Sequence, residues 1–251
     1  MVSVVALGAI TGGTNLSVSE ADLQELELAP DSFYILPGEK MDAIHKKLVS
    51  VRGTLPQHNM GGSIANTADF IARAGVSCGL MGVGGNDAFG QAYVENCEKT
   101  SLKFLLPLLE GAVTGYDFYR DLADGRRTIL WTAGANSLLS PERIDRKAIL
   151  EAELLLIDGG ALDFGPESEA AISFCAKVAE KTQVPFVLTL ASTRIIESYR
   201  SFFDTFGPRA QMVAGNLEQT AVLLGLEPTS SLVDVREVLM KTCINAVVTM
   251  D

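Results

Sequence analysis

Gly61-Gly62-Ser63-Ile64-Ala65-Asn66-Thr67-Ala68 is the stretch from which the fold of this chain can be read. Two adjacent glycines let a main chain approach a ligand closely. Ser63 has the chemistry of a helix N-cap, and a helix is predicted to start there. Ile64, Ala68, Ile71 and Ala72 recur at helical spacing and give that helix one apolar face. Asn66 falls in its first turn, where an amide can reach a hydroxyl-rich ligand at the helix mouth. A tight strand-to-helix turn that needs glycine for sterics alone reads the same residues equally well. The rest of the chain separates the two.

Outward from this stretch, short apolar runs alternate with helical patterns. Strands are predicted at Val2–Ala6, Ser77–Val83, Glu153–Asp158, Val184–Leu190, Gln211–Ala214 and Ala246–Met250. Leu154 to Ile157 are consecutively apolar, which marks a strand buried on both faces, as in a parallel sheet. Helices are expected from about Asp87 (Phe89, Tyr93 and Cys97 on one face), from Pro166, after Asn216, and near Ser231–Lys241. Such alternation predicts an α/β fold: three layers around a doubly wound, mostly parallel sheet. Thr114–Leu122 and Arg127–Trp131 flank Asp124-Gly125, a strong hairpin signal. With an irregular stretch at Gly12–Pro37, this suggests a small β lid made of two excursions, at about 12–37 and 112–133, from a single domain spanning 1–251.

Composition excludes several functions. The net charge of −11 over 251 residues disfavours nucleic acid and anionic membrane as partners. Helix N-termini can still bind a phosphate locally. No apolar run has membrane-spanning length, and the apolar first ten residues lack a basic leader, so a cytoplasmic location is expected. Cys78, Cys97, Cys175 and Cys243 are widely spaced without a C-x-x-C pair, so buried free thiols are expected rather than a zinc site. His45 and His58 are far apart, and no metal site is predicted from them.

Polar residues at predicted strand ends are the candidates for chemistry, because ligands of open α/β sheets bind there. Gly82-Val83-Gly84-Gly85-Asn86-Asp87 is not a dinucleotide fingerprint, since Asp87 stands in place of its third glycine; Asn86 fits an N-cap. Asp158 ends a strand beside Gly159-Gly160, placed either to accept substrate hydroxyls or to sit in water. Asn216 and Gln219 match a capping box. Gly134-Ala135-Asn136 follows the hairpin and can bring Asn136 back toward the site.

In order and spacing these elements resemble the ribokinase-like, or PfkB, family of carbohydrate and nucleoside kinases over nearly the whole chain. Asp124 to Pro141, with its Asp-Gly-Arg-Arg-Thr, Gly-Ala-Asn and Leu-Ser-Pro segments, looks closest to the adenosine-kinase-like branch. The resemblance implies ATP and Mg²⁺ as cofactors and phosphoryl transfer to a hydroxymethyl group of a small-molecule sugar or nucleoside. It implies substrate-binding roles for Gly61, Gly62, Asn66, Asn136 and Asp158, and a nucleotide- and Mg²⁺-organising role for Asn216 and Gln219 within an N-x-x-E element. A monomer or a homodimer is compatible with a lid of this type.

The departures are specific. Gln219 replaces the glutamate of N-x-x-E, Ile64 stands where a small residue is usual, and Gly13 stands where an acidic residue is expected. The D-T-x-G-A-G-D motif that carries the general base is absent from residues 1–251, so the catalytic base is expected beyond Asp251 in a longer natural chain. Two function classes therefore stand. One is a kinase; the other is a non-catalytic sugar- or nucleoside-binding protein that kept the substrate pocket. A nicotinamide-dependent dehydrogenase would share the layout but lacks its fingerprint.

Overall fold

The computed structural model describes residues 2–15, 24, 27–28, 33–52, 59–121 and 127–250. Strand β1 (Val4–Leu7) is four consecutive buried apolar residues, which only a sheet covered on both faces accommodates. It pairs in parallel with β5 (Cys78–Met81) on one side and β9 (Leu154–Asp158) on the other. Beyond β9 lie β10 (Phe186–Thr189), β11 (Met212–Asn216) and β12 (Ala246–Thr249); beyond β5 lies the short β6 (Lys103–Phe104). Among the described residues the sheet order is β12-β11-β10-β9-β1-β5-β6, with every pairing parallel.

A second sheet has the order β3 (Phe33–Ile35), β8 (Arg127–Thr132), β7 (Tyr116–Asp121), β2 (Thr11–Asn15), β4 (Asn59–Gly61). It is mixed: β7–β8 and β2–β4 are antiparallel, β2–β7 and β3–β8 parallel. Helix α1 (Gly38–Arg52) lies on it, packing Met41 and Ile44 against Leu36, Tyr116 and Leu130.

One face of the main sheet is covered by α2 (Ser63–Arg73) and α3 (Ala88–Lys99), through Ile64, Ala68, Ala72, Tyr93 and Cys97. The other face carries α4 (Arg146–Leu150), α5 (Ser168–Thr182), α6 (Thr193–Ser198) and α7 (Arg200–Phe206). Here Ile149, Ile172, Cys175, Ile196, Phe202, Phe203 and Phe206 form the larger core. Helices α8 (Leu217–Leu223) and α9 (Leu232–Leu239) follow β11. The α/β class, the parallel main sheet and the β lid thus stand as expected.

Several boundaries differ. The first strand is Val4–Leu7 rather than Val2–Ala6, because its register is set by pairing with Cys78–Met81 and Leu154–Ile157. The residue flanking α2 is Gly62, with no side-chain cap; Ser63 is already helical. Asp87, not Asn86, caps α3, accepting from Gly90 N at 2.8 Å. Pro166 precedes α5 by two residues instead of opening it. Cys78, Cys97 and Cys175 are buried as expected, but Cys243 is exposed on the loop before β12. The hairpin forms, while its tip at Asp124-Gly125 lies outside the described residues, as does His58. Strands β2 and β4 and helix α1 were not foreseen individually.

Candidate functional site

The site is built where the chain leaves β1. Residues 8–11 pass between the two sheets and become β2. Gly8 marks the crossing: a Cβ there would run into Ile64 Cγ2 and lie 3.1 Å from Asp158 Oδ2. The first turn of α2 and the end of β9 therefore meet over one residue. Gly62 backs onto the same segment. Its φ of 108° is a conformation that L side chains rarely adopt, and a Cβ would collide with the Ala9 carbonyl oxygen. Both of its demands are for glycine.

Gly61 is the last residue of β4 and pairs with Thr11. A Cβ here would collide with Thr11 Oγ1 and lie 3.4 Å from Asp117 Oδ2. Its carbonyl accepts a hydrogen bond from the Tyr93 hydroxyl at 3.0 Å. Tyr93 is 2% exposed, and burial pushes its phenol well above the usual range, so at neutral pH it is a donor. The diglycine turn is thus held from both sides. Asn66 follows, exposed in the first turn of α2, with its N–H bonded to Gly62 O at 2.9 Å.

Asp158 is 6% exposed, so it is not an aspartate sitting in water. Its Oδ1 accepts from Gly160 N at 2.9 Å and Thr189 Oγ1 at 3.2 Å. Burial pushes its carboxyl above the ordinary value, and those two bonds oppose the shift. Oδ2 is the atom nearer Gly8 and the mouth of α2.

Asn136 is brought back to this crossing, as expected, but its amide is occupied. Nδ2 donates to Ile10 O and Ala133 O, both at 2.9 Å, and Oδ1 accepts from Ile10 N at 3.1 Å. It clamps the end of the lid to the segment between β1 and β2. What remains for a ligand is a lone pair on Oδ1. Thr114 makes a similar tie at the start of the hairpin, donating to Asp87 Oδ1 at 2.8 Å while Asp87 Oδ2 accepts from Thr114 N at 2.7 Å.

Asn216 and Gln219 form the capping box: Gln219 N donates to Asn216 Oδ1 at 2.9 Å and Asn216 N donates to Gln219 Oε1 at 3.1 Å. Gln219 Nε2 also donates to Ala191 O at 2.8 Å, fixing the loop after β10, where Ala191 has a φ of 59°. Both ends of this side chain are therefore spent on main chain. A carboxylate could not donate that second bond. Among the described residues no group of three His, Cys, Asp or Glu could hold a metal ion. The residues present do not fit a protein-held Mg²⁺ at this corner.

Three residues escaped the sequence reading. Thr11 and Asp117 lie one strand apart in the lid, Thr11 Oγ1 donating to Asp117 Oδ2 at 3.1 Å. Asp117 Oδ1 is sealed from solvent without a hydrogen-bond partner among the described residues. A buried acceptor left unpaired costs about 1–3 kcal/mol. Tyr93 showed only as a helix-face aromatic. The one available signal was Asp117 itself, a charge inside an otherwise aromatic strand, Tyr116 to Tyr119.

A parallel sheet under a mixed β lid, with a diglycine turn facing a strand-end carboxylate, defines a ribokinase-like α/β protein. The profile of the pfkB family carbohydrate kinases matches residues 36–251, and the chain belongs to that family. A 5-dehydro-2-deoxygluconokinase of Shouchella clausii is 27% identical over 194 residues, covering 67% of this chain and 59% of the relative. The chain thus spans under two thirds of that curated relative's length. An adenosine kinase structure from Sinorhizobium meliloti superposes with a TM-score of 0.84 at 20% identity, over 99% of this chain and 74% of that one. A probable sugar kinase from Rhizobium etli gives 0.85 at 18% identity, over 100% and 74%. These two likenesses speak to the fold. No helix among the described residues is long and apolar enough to cross a membrane.

Proposed function

We propose that the protein containing this chain transfers a phosphoryl group from ATP to a hydroxymethyl group of a sugar or nucleoside. The observation that carries the reading is the crossing at Gly8: Ile64, in the first turn of α2 that also carries the exposed Asn66, and the buried Asp158 both border it, and the diglycine turn backs onto the next residue, within a chain of the pfkB family. Gly61 and Gly62 let the acceptor lie against main chain, and Asn66 and Asp158 hold its hydroxyls. Asn136 acts by keeping the lid in register with residues 8–11. Phosphoryl transfer needs positioning and charge neutralisation more than covalent chemistry, and positioning is what these residues supply. The nucleotide belongs beyond the carboxyl ends of β10 and β11, on the far side of Asp158. Lid strands over the acceptor exclude water that would otherwise compete for the phosphoryl group. Gln219 brings no carboxylate to a metal, so Mg²⁺ would come bound to the nucleotide. On this reading residues 1–251 form one ribokinase-like domain, working as a monomer or homodimer.

A second reading is favoured by Gln219, whose amide is engaged where the family places a carboxylate. On that reading the protein binds a sugar or nucleoside without phosphorylating it. ADP release by the full natural protein, measured with D-ribose, D-fructose and adenosine in turn, separates the two. Acceptor-dependent ADP release is expected. Saturable acceptor binding with no ADP release would establish the binding protein instead.

A further inference from the structure

Asp158 ends β9 beside Thr189, the last residue of β10, and the parallel register pairs the two directly. The Thr189 hydroxyl has one proton, and it goes to Asp158 Oδ1 at 3.2 Å. The same hydroxyl oxygen accepts from Gly159 N at 3.2 Å, so one side chain ties down both the carboxylate and the main chain that follows it. Gly159 sits tightly against this neighbour: a Cβ there would collide with the Thr189 carbonyl oxygen. The turn after Thr189 is strained. Ser192 N donates to Leu190 O at 2.8 Å and closes a three-residue turn around Ala191, whose φ is 59°. Two bonds hold this turn on the β11 side: Leu190 N donates to Ala214 O at 2.9 Å, and Gln219 Nε2 to Ala191 O at 2.8 Å. Such a conformation persists only where the surroundings fix it.

We infer that Thr189 is a positioning residue for the proposed transfer, acting through Asp158: it fixes Oδ1 so that Oδ2 stays turned to the crossing at Gly8. The inference rests on the acceptor-binding role proposed above for Asp158. A carboxylate on a short side chain rotates readily about its last torsion. Two donors on Oδ1, Gly160 N and the Thr189 hydroxyl, stop that rotation. Among the described residues nothing donates to Oδ2, which is the oxygen left to receive an acceptor hydroxyl. Burial favours the neutral acid, and the Thr189 bond helps to keep the charged, accepting form. Threonine suits the task because its branched Cβ restricts the first torsion, where a serine hydroxyl would swing. Its only proton is spent on Asp158, so it has none to give a nucleotide. Its influence lies in how well Asp158 is aimed, and small misplacements near the reacting atoms are costly.

The test compares the full natural protein with its Thr189→Val and Thr189→Ser variants. It reads ADP release with D-ribose, D-fructose and adenosine in turn, with melting curves alongside. For the acceptor that the parent uses, Thr189→Val is expected to raise KM by about tenfold or more. KM for ATP should stay within about twofold of the parent's. Thr189→Ser, which keeps the hydroxyl, should bring the acceptor KM back to within about threefold of the parent's. Should Thr189→Val not fold, Thr189→Cys carries a weaker donor, and a rise of about threefold or more in acceptor KM is expected from it. A residue with a merely structural role would lower the melting temperature and either spare the acceptor KM or raise both KM values together. An unchanged acceptor KM in the folded variants, an equal rise in both KM values, or no recovery in Thr189→Ser overturns this inference and leaves the proposed function standing. No acceptor-dependent ADP release by the parent overturns both.

Discussion

Two corners of this molecule carry polar residues in family-like positions, and they differ in how far those residues are already satisfied. At the Asn216–Gln219 corner, cap and counter-cap close on each other, and the spare amide hydrogen is tied to Ala191 O. At the Gly61–Asn66 corner the helix begins without a side-chain cap, Asn66 faces outward, and nearby Asp117 keeps an oxygen with no partner among the described residues. Unmet hydrogen-bonding capacity is costly in a fold and useful toward a ligand. The first corner reads as structure; the second is where we propose that the acceptor binds.

The sharpest way to break this contrast is Gly62→Ala. Left-handed strain and a collision with Ala9 O act together, so a loss of about 3 kcal/mol or more is expected, read by urea denaturation. A loss under about 1 kcal/mol would mean that the turn relaxes easily and is not a fixed platform. Next comes Gln219→Glu. It places a carboxylate oxygen against Ala191 O, and a destabilisation of about 1–3 kcal/mol is expected without gain of Mg²⁺ affinity. An unchanged melting curve with new Mg²⁺ binding by calorimetry would turn this corner from structure into a metal site. Asn216→Ala removes a cap and should cost about 1 kcal/mol. Its effect on D-ribose or adenosine binding should be no larger than that of the lost stability, whereas Asn66→Ala should cost binding and leave the melting temperature nearly unchanged. If the two variants behave alike, the comparison fails.

The smallest effect is one of pH. Burial raises the folded-state carboxyl of Asp158 above its ordinary value of 3.8. Its contribution to stability is therefore fully present below that value and is lost as pH rises through the folded value. Asp158→Asn should be more stable than the parent at pH about 7, with the gap closing toward pH about 4. Its acceptor binding should be weaker at both. A parent-like pH profile in the variant would show that Asp158 is better solvated than its burial indicates.

The buried thiols illustrate the same contrast at a distance from both corners. Burial pushes Cys78 up to about 11 and Cys97 up to about 12, so both are inert packing groups. Cys243, expected to be buried with them, is exposed. It lies in the loop before β12, where no helix covers it, whereas Cys78 lies in β5 and Cys97 in α3.

The sequence by itself determined the layered plan. Leu154 to Ile157 and Val4 to Leu7 are apolar on every residue, and only a strand buried on both faces accepts that. The capping box was equally legible, since it is a contact between residues three apart. Asn66 and Asp158 were legible as candidates because each ends or begins an element. Tertiary structure alone decided the lid and its face. Thr11-Gly12-Gly13-Thr14-Asn15 has neither period and becomes a strand because β4 and β7 pair with it on both sides. Tyr93 reaches Gly61 from 32 residues away, Asn136 reaches Ile10 from 126, and Asp117 reaches Thr11 from 106. Local patterns record which residues can form an element. Which polar groups end up satisfied depends on partners that only the folded chain brings together.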